Sequence, residues 1–140
     1  RTSGNPYVHV VLRGGNGRPN YDTVSVQMAE RALVKANLAP NIMVDCSHSN
    51  SYKKAELQGR VLADVVHQIK EGDQSLIGVM IESNIIAGAQ KLVPELEKMT
   101  YGQSVTDACI DWESTEKMLK EARAELREVL PKRMAEKTST

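Results

Sequence analysis

The chain has 140 residues, a length that points to one domain. Its 18 Lys plus Arg balance 18 Asp plus Glu, and zero net charge argues against a broadly basic surface for nucleic acid or membrane. Aromatic residues make up only 4%, with no Phe and one Trp, which disfavours a base-stacking platform.

No apolar run approaches the ~18 residues of a membrane span, and the first residues carry no signal-type apolar segment. Two cysteines, Cys46 and Cys109, are too few for a disulfide scaffold. A reducing, cytoplasmic location is the expectation.

In chain order, apolar runs alternate with helical patterns. Val8 to Leu12 predicts a strand over 7–13, ending at Arg13-Gly14-Gly15. Val24, Met28, Ala29, Ala32, Leu33 and Ala36 recur at helical spacing, predicting a helix over 22–38 with Asp22 as N-cap. Ile42-Met43-Val44 predicts a strand over 41–47, ending in Asp45-Cys46-Ser47-His48. Leu57, Val61, Val65, Val66 and Ile69 predict a helix over 53–71. The run from Leu76 to Ile81 predicts a third strand over 75–82, ending in Glu82. The stretch 85–104 has no period and reads as a long loop. A last helix is expected over 106–130, with Cys109, Trp112, Leu119, Ala122, Leu126 and Leu130 on its stripe. Apolar runs with little alternation suit parallel strands buried on both faces, so the fold class is α/β.

Each strand ends in a residue that can do chemistry: Arg13, His48 and Glu82. In parallel α/β folds ligands bind beyond the carboxyl ends of the strands, so these three are expected on one rim. Arg offers a fixed fork for phosphate or carboxylate, and His with Glu offers a nitrogen and an oxygen ligand for a divalent metal. Asp107 is either a third oxygen ligand or an acid favoured at the start of the last helix, and spacing alone favours the helix start. Each residue also has a plain reading: His48 as a polar loop residue, Glu82 as a solvated strand-end acid. Asp45 is a candidate partner for His48, but in an extended strand it points to the opposite face. His9 and His67 read as structural and Cys46 as a small buried hydrophobe. Gly14-Gly15-Asn16-Gly17 lacks the residues of either phosphate-loop fingerprint.

Four blocks carry a resemblance: Leu12-Arg13-Gly14-Gly15 with Asn20-Tyr21; Met43-Val44-Asp45-Cys46-Ser47-His48-Ser49-Asn50; Gly78-Val79-Met80-Ile81-Glu82-Ser83; and Tyr101-Gly102 with Thr106-Asp107-Ala108-Cys109-Ile110 and Trp112-Glu113. In this order they resemble the C-terminal part of the microbial type I 3-deoxy-D-arabino-heptulosonate 7-phosphate (DAHP) synthases. The resemblance implies condensation of phosphoenolpyruvate with erythrose 4-phosphate, the first step of the shikimate pathway, by a TIM-type (β/α)8 barrel that requires a divalent metal (manganese, iron, cobalt or zinc). It implies His48, Glu82 and Asp107 as metal ligands, reversing the helix-start preference for Asp107. It also implies Arg13 as a phosphoenolpyruvate contact and a role for His48 in proton transfer.

Such a barrel needs about 250 residues. The family's cysteine ligand, catalytic lysine and further substrate cations match nothing in this chain. The expectation is therefore about three β/α units of the barrel, inactive alone, with the N-terminal barrel half as partner. A non-catalytic piece that self-associates through open sheet edges and an unrelated anion-binding α/β domain remain the alternatives.

Overall fold

The computed structural model describes residues 1–5 and 7–138. Its first sheet holds β1 (Val10–Leu12), β2 (Ile42–Asp45) and β3 (Leu76–Met80), all parallel, in the order β1-β2-β3. The crossovers carry α1 (Thr23–Lys35) and α2 (Gln58–Lys70). In register, Val10 faces Ile42 and Leu12 faces Val44, while a shift between Ile42 and Met43 sets Val44 against Val79. Neighbouring parallel strands therefore end together, and the loops after β1, β2 and β3 share one rim.

The core is one cluster: Leu12, Ile42, Val44, Cys46 and Leu76 from the sheet region, Val26 from α1, and Val61, Leu62, Val65, Val66 and Ile69 from α2. Burying such a side chain contributes roughly 1.5–3 kcal/mol, and α2 supplies five. The other sheet face departs from the expectation of strands buried on both sides: Val11 is 45% and Ile77 47% exposed. In α1 the buried stripe is Val26 with Ala29 and Leu33 packed beside it, whereas Val24 and Met28 face outward. The helix is turned relative to the expected stripe, because Val26, Ala29 and Leu33 fall at the i, i+3, i+7 spacing that faces the sheet. α1 also stops at Lys35, with Ala36 as C-cap and Asn37 in the left-handed region at φ 56°.

The stretch 85–104 is not a structureless loop. β4 (Ile86–Ala89) pairs in parallel with β5 (Gln103–Ser104), with an irregular register. Gln90 closes the excursion between them: Nε2 donates to the carbonyls of Thr100 and Gln103, and Oε1 accepts from the Thr100 amide. Gly102 at φ +80° lies where an added Cβ would come 2.7 Å from Ile85 Cβ.

The last helix starts at Trp112, not near 106. Residues 109–110 are held in extended pairing, with the Cys109 amide on the Gly88 carbonyl (3.1 Å) and the Ile110 amide on the Glu82 carbonyl (3.1 Å). Asp111 is the N-cap, its Oδ1 accepting from the Ser114 amide at 2.7 Å. The helix is also two helices, α3 (Trp112–Leu126) and α4 (Val129–Thr138). Pro131 explains the break: it lacks the N–H that would bond the Arg127 carbonyl, and its ring crowds that group. Trp112, Leu119 and Leu130, expected on the buried stripe, are 61%, 46% and 41% exposed, while Leu126 is buried.

Candidate metal centre

β2 ends at Asp45 and the chain turns at once. Asp45 Oδ1 accepts from the Ser47 amide at 2.8 Å and from Ser47 Oγ at 2.7 Å, a side-chain-closed turn of the kind aspartate and serine favour. His48 follows in the left-handed region at φ 48°, a costly conformation for a non-glycine residue. Its carbonyl accepts from the Lys53 amide at 2.7 Å, which helps hold it there. The turn brings Asp45 back to its own loop. Asp45 Oδ2 lies 2.7 Å from His48 Nδ1, and Ser47 Oγ lies 2.8 Å from the same nitrogen. A carboxylate has no proton to give, so Nδ1 carries the proton of this bond, and in the neutral ring, the form that ligates a metal, the Nε2 lone pair faces outward.

Two carboxylates meet that lone pair. Glu82 Oε1 is 3.9 Å and Asp107 Oδ2 3.8 Å from His48 Nε2. Glu82 follows β3, and its main chain is clamped by the fully buried Gln58 at the head of α2. Gln58 Nε2 donates to the Glu82 carbonyl at 3.0 Å, and Oε1 accepts from the Glu82 amide at 2.8 Å. Gln58 thus pairs with Glu82 as a neighbouring strand would. Asp107, half exposed, comes from the segment ahead of α3. It does not stand at a helix start; Asp111 fills that position.

One ligand atom from each of His48, Glu82 and Asp107 lies within 4.8 Å of the other two. A cavity of about 20 Å³ lies among them, bordered also by Ser47, Ser51, Lys53 and Ala108. That is room for about one water-sized body. Three electron-pair donors aimed at one gap repel one another unless a cation or protons lie between them, so the donor set fits a divalent metal. The observed separations are slightly wider than the roughly 3.4 Å edge of a tetrahedral site built from 2.0–2.2 Å bonds.

Arg13 is exposed at the carboxyl end of β1, and its carbonyl accepts from the amide of Ser49, next to His48, at 3.2 Å. The rim therefore brings the arginine-bearing loop against the metal-centre loop. Neither cysteine joins the ligand set. Cys46 is buried, and burial pushes its thiol up to about 12, with the Asp45 charge adding to the shift. Cys109 Sγ lies 3.7 Å from the Asp107 carbonyl. Desolvation raises its pKa, a hydrogen bond with Ser104 opposes that, and the charges of Glu82 and Asp107 reinforce it.

The profile described as the DAHP synthetase I family matches residues 1–120. The chain belongs to the DAHP synthetase I family. The Tyr-sensitive phospho-2-dehydro-3-deoxyheptonate aldolase of Salmonella typhimurium is 48% identical over 135 residues, covering 96% of this chain and 38% of that protein. A putative phospho-2-dehydro-3-deoxyheptonate aldolase of Schizosaccharomyces pombe is 44% identical over 128 residues, covering 90% of this chain and 34% of that protein. A solved phospho-2-dehydro-3-deoxyheptonate aldolase from Francisella tularensis superposes with a TM-score of 0.83 at 44% identity, covering 90% of this chain and 36% of that one. This member of the DAHP synthetase I family thus spans little more than a third of the length of these relatives. Among the described residues, no helix is long and apolar enough to cross a membrane.

An extended strand through 45–48 would aim Asp45 away from His48. The turn reverses that geometry. The signal was present in Asp45-Cys46-Ser47-His48, since Asp and Ser two residues apart are turn formers. Gln58 left no comparable signal, because it acts through main-chain groups distant in sequence.

Proposed function

We propose that this chain forms part of a metal-dependent DAHP synthase, an enzyme of the cytoplasm that condenses phosphoenolpyruvate with erythrose 4-phosphate to DAHP and phosphate, the first step of the shikimate pathway. The observation that carries the reading is the convergence of His48 Nε2, Glu82 and Asp107 on a cavity the size of one ion. His48, Glu82 and Asp107 hold a divalent metal, with manganese, iron, cobalt and zinc all compatible with one nitrogen and two oxygens. When bound, the metal supplies Lewis acidity toward an aldehyde oxygen.

The chain's own residues do the rest of their share by position. Asp45 keeps the Nδ1 proton on His48, so that Nε2 presents its lone pair to the site. Arg13, always charged, holds the carboxylate or phosphate of phosphoenolpyruvate at the same rim. Carbon 3 of phosphoenolpyruvate bonds to the aldehyde carbon, water adds at carbon 2, and phosphate leaves.

The β/α units are read as a portion of a TIM-type barrel, spanning the whole chain as a single segment. The parallel order β1-β2-β3 and the half-exposed Val11 and Ile77 support this, because in a closed barrel such a face turns to the packed interior. The partner is then the rest of the barrel, and open sheet edges also favour association between copies.

The test is a phosphoenolpyruvate-consumption assay. Turnover is expected only when the upstream barrel residues, erythrose 4-phosphate and a divalent metal are all present, and the 140-residue chain alone is expected to be inactive. Activity of the complete enzyme that survives both chelation and His48→Ala would sink the proposal.

A further inference from the structure

Asn50 has one of the most fully used side chains in the molecule. It is 2% exposed and lies two residues beyond His48. Its Nδ2 donates to the Leu12 carbonyl at 2.9 Å and to the Asp45 carbonyl at 2.8 Å. Its Oδ1 accepts from the Asn20 amide at 2.8 Å. The two carbonyls can only accept and the amide can only donate, so the orientation of this side chain is fixed by its partners. Leu12 and Asp45 are the last residues of β1 and β2. One amide group therefore ties the two strand ends together where the backbone ladder stops.

Asn20 carries the tie onward. Its Oδ1 accepts from the Gly14 amide at 2.7 Å. Arg13 now lies between two fastened neighbours: the Leu12 carbonyl held by Asn50 and the Gly14 amide held by Asn20. Its own carbonyl is held by the Ser49 amide at 3.2 Å. Close packing reinforces this, for Gly14 sits at φ +71° where an added Cβ would come 2.6 Å from Ser49 Cβ and 2.7 Å from the Arg18 carbonyl oxygen. Leu12 and Arg13 are thus pinned by the loop that carries His48, and Gly14 by Asn20, which Asn50 of that loop holds in turn.

We infer that Asn50 and Asn20 form a clasp whose task is to position Arg13 against the metal-centre loop, making both positioning residues for the anion site. The inference rests on the reading of Arg13 as the phosphoenolpyruvate contact. The clasp explains how an exposed arginine on a glycine-rich loop keeps one place relative to His48: the loop's main chain is bonded to the His48 loop rather than to solvent.

The two asparagines use opposite ends of their amides, and that yields a chemical fingerprint. Asn20 bonds Gly14 through its oxygen, so Asn20→Asp keeps the acceptor while Asn20→Ala loses it. Asn50 uses its NH2 group for two carbonyls, so Asn50→Asp loses both donors and turns an anionic oxygen toward two carbonyl oxygens. The same exchange is tolerated at one position and damaging at the other.

The experiment measures amide hydrogen exchange at Gly14 by NMR in the 140-residue chain, together with calorimetric titrations of manganese and of phosphoenolpyruvate. Asn20→Ala is expected to speed Gly14 exchange and weaken phosphoenolpyruvate binding by about tenfold each, the scale of one net hydrogen bond, with manganese affinity held within about twofold. Asn20→Asp is expected to restore slow Gly14 exchange, and Asn50→Asp to speed it. Should Asn50→Asp not fold, the Asn20 pair decides alone. Gly14 exchange unchanged in Asn20→Ala, or phosphoenolpyruvate affinity unchanged despite faster exchange, overturns the clasp. If the unmodified chain binds manganese but no phosphoenolpyruvate, the Gly14 fingerprint decides whether the clasp exists, and the Arg13 reading fails if Arg13→Ala leaves the phosphoenolpyruvate affinity of the complete enzyme unchanged.

Discussion

Asp45 and His48 lie three residues apart on a turn that folds the strand end back on itself, so that Asp45 Oδ2 stands 2.7 Å from His48 Nδ1. The carboxylate is almost fully buried and also accepts twice from Ser47. Replacing Asp45 by Asn keeps the shape but removes the charge that holds the Nδ1 proton. Asp45→Asn is expected to lower manganese affinity by roughly 10–100-fold, the usual cost of losing the outer partner of a ligating histidine. Calorimetric titration checks this, with circular dichroism to verify the fold. Unchanged affinity in a folded variant would show that the pair does not tune the site.

Metal binding feeds into stability because the gap between His48, Glu82 and Asp107 exists only in the folded chain. A ligand bound only by the native state stabilises it by about 2.7 kcal/mol at one hundred times its Kd. Manganese is expected to raise the unfolding midpoint of the chain, and chelation to reverse the rise. The shift should vanish in His48→Ala, which removes the nitrogen ligand. A shift of equal size in His48→Ala would place the metal elsewhere.

Much of this site was legible before the structure, and the reason is the regularity of parallel β/α units. Arg13, His48 and Glu82 each follow a short apolar run, and parallel strands in register bring their ends to one rim. Asp107 was ambiguous because its neighbourhood resembles a helix start in composition. The antiparallel bridge of Gly88 with Cys109 and the parallel bridge of Ser83 with Ile110 keep that stretch extended. Those contacts join residues far apart in sequence, so no local pattern reveals them. The same holds for β4 and β5, whose residues include Gly88 and Gln103 and carry no alternation. The uncovered face at Val11 and Ile77 was hidden for a different reason. An apolar run reports that a residue is suited to burial, not which chain buries it.

Gln58 offers a test of how Glu82 is held. Its amide satisfies both the N–H and the C=O of Glu82 from a fully buried position. Gln58→Leu keeps much of the volume but leaves both main-chain groups without that partner. The Glu82 carbonyl keeps the Ile110 amide, so only the Glu82 N–H is left unsatisfied, and a loss of about 1–3 kcal/mol is expected in urea unfolding. Manganese affinity should fall as well, since Glu82 loses its fixed position. A loss below about 1 kcal/mol would mean that solvent replaces Gln58 without penalty.

The cysteines should differ in reactivity. Burial holds the Cys46 thiol protonated up to about pH 12 and also blocks access. Cys109 is partly exposed, with a pKa raised first by desolvation. Thiolate is the reacting form, so iodoacetamide near pH 8 is expected to label Cys109 slowly and Cys46 only after unfolding. Peptide mass spectrometry reads both positions. Labelling of Cys46 in the folded chain at a rate like that of Cys109 would contradict the burial of the β2 end.

Asp22 gives a pH-dependent term at the start of α1. Its Oδ1 accepts from the Val24 and Ser25 amides, each at 3.1 Å, and its Oδ2 accepts from Ser25 Oγ at 2.6 Å. The Ser25 side-chain bond is the largest cause that lowers its pKa, and slight burial opposes it. A depressed folded-state pKa means that the charged form stabilises the fold above the unfolded value near 3.9. That stabilisation is lost as pH falls through the lower folded-state value. Loss of an N-cap costs about 1 kcal/mol, so Asp22→Ala is expected to be less stable by about that much at pH 7. The gap should narrow in acid, because a protonated carboxyl is a weaker acceptor for the Val24 and Ser25 amides. Urea unfolding of both chains between pH 7 and pH 3 tests the sign. A gap that stays constant, or widens in acid, would show that the carboxylate's charge adds nothing to this cap.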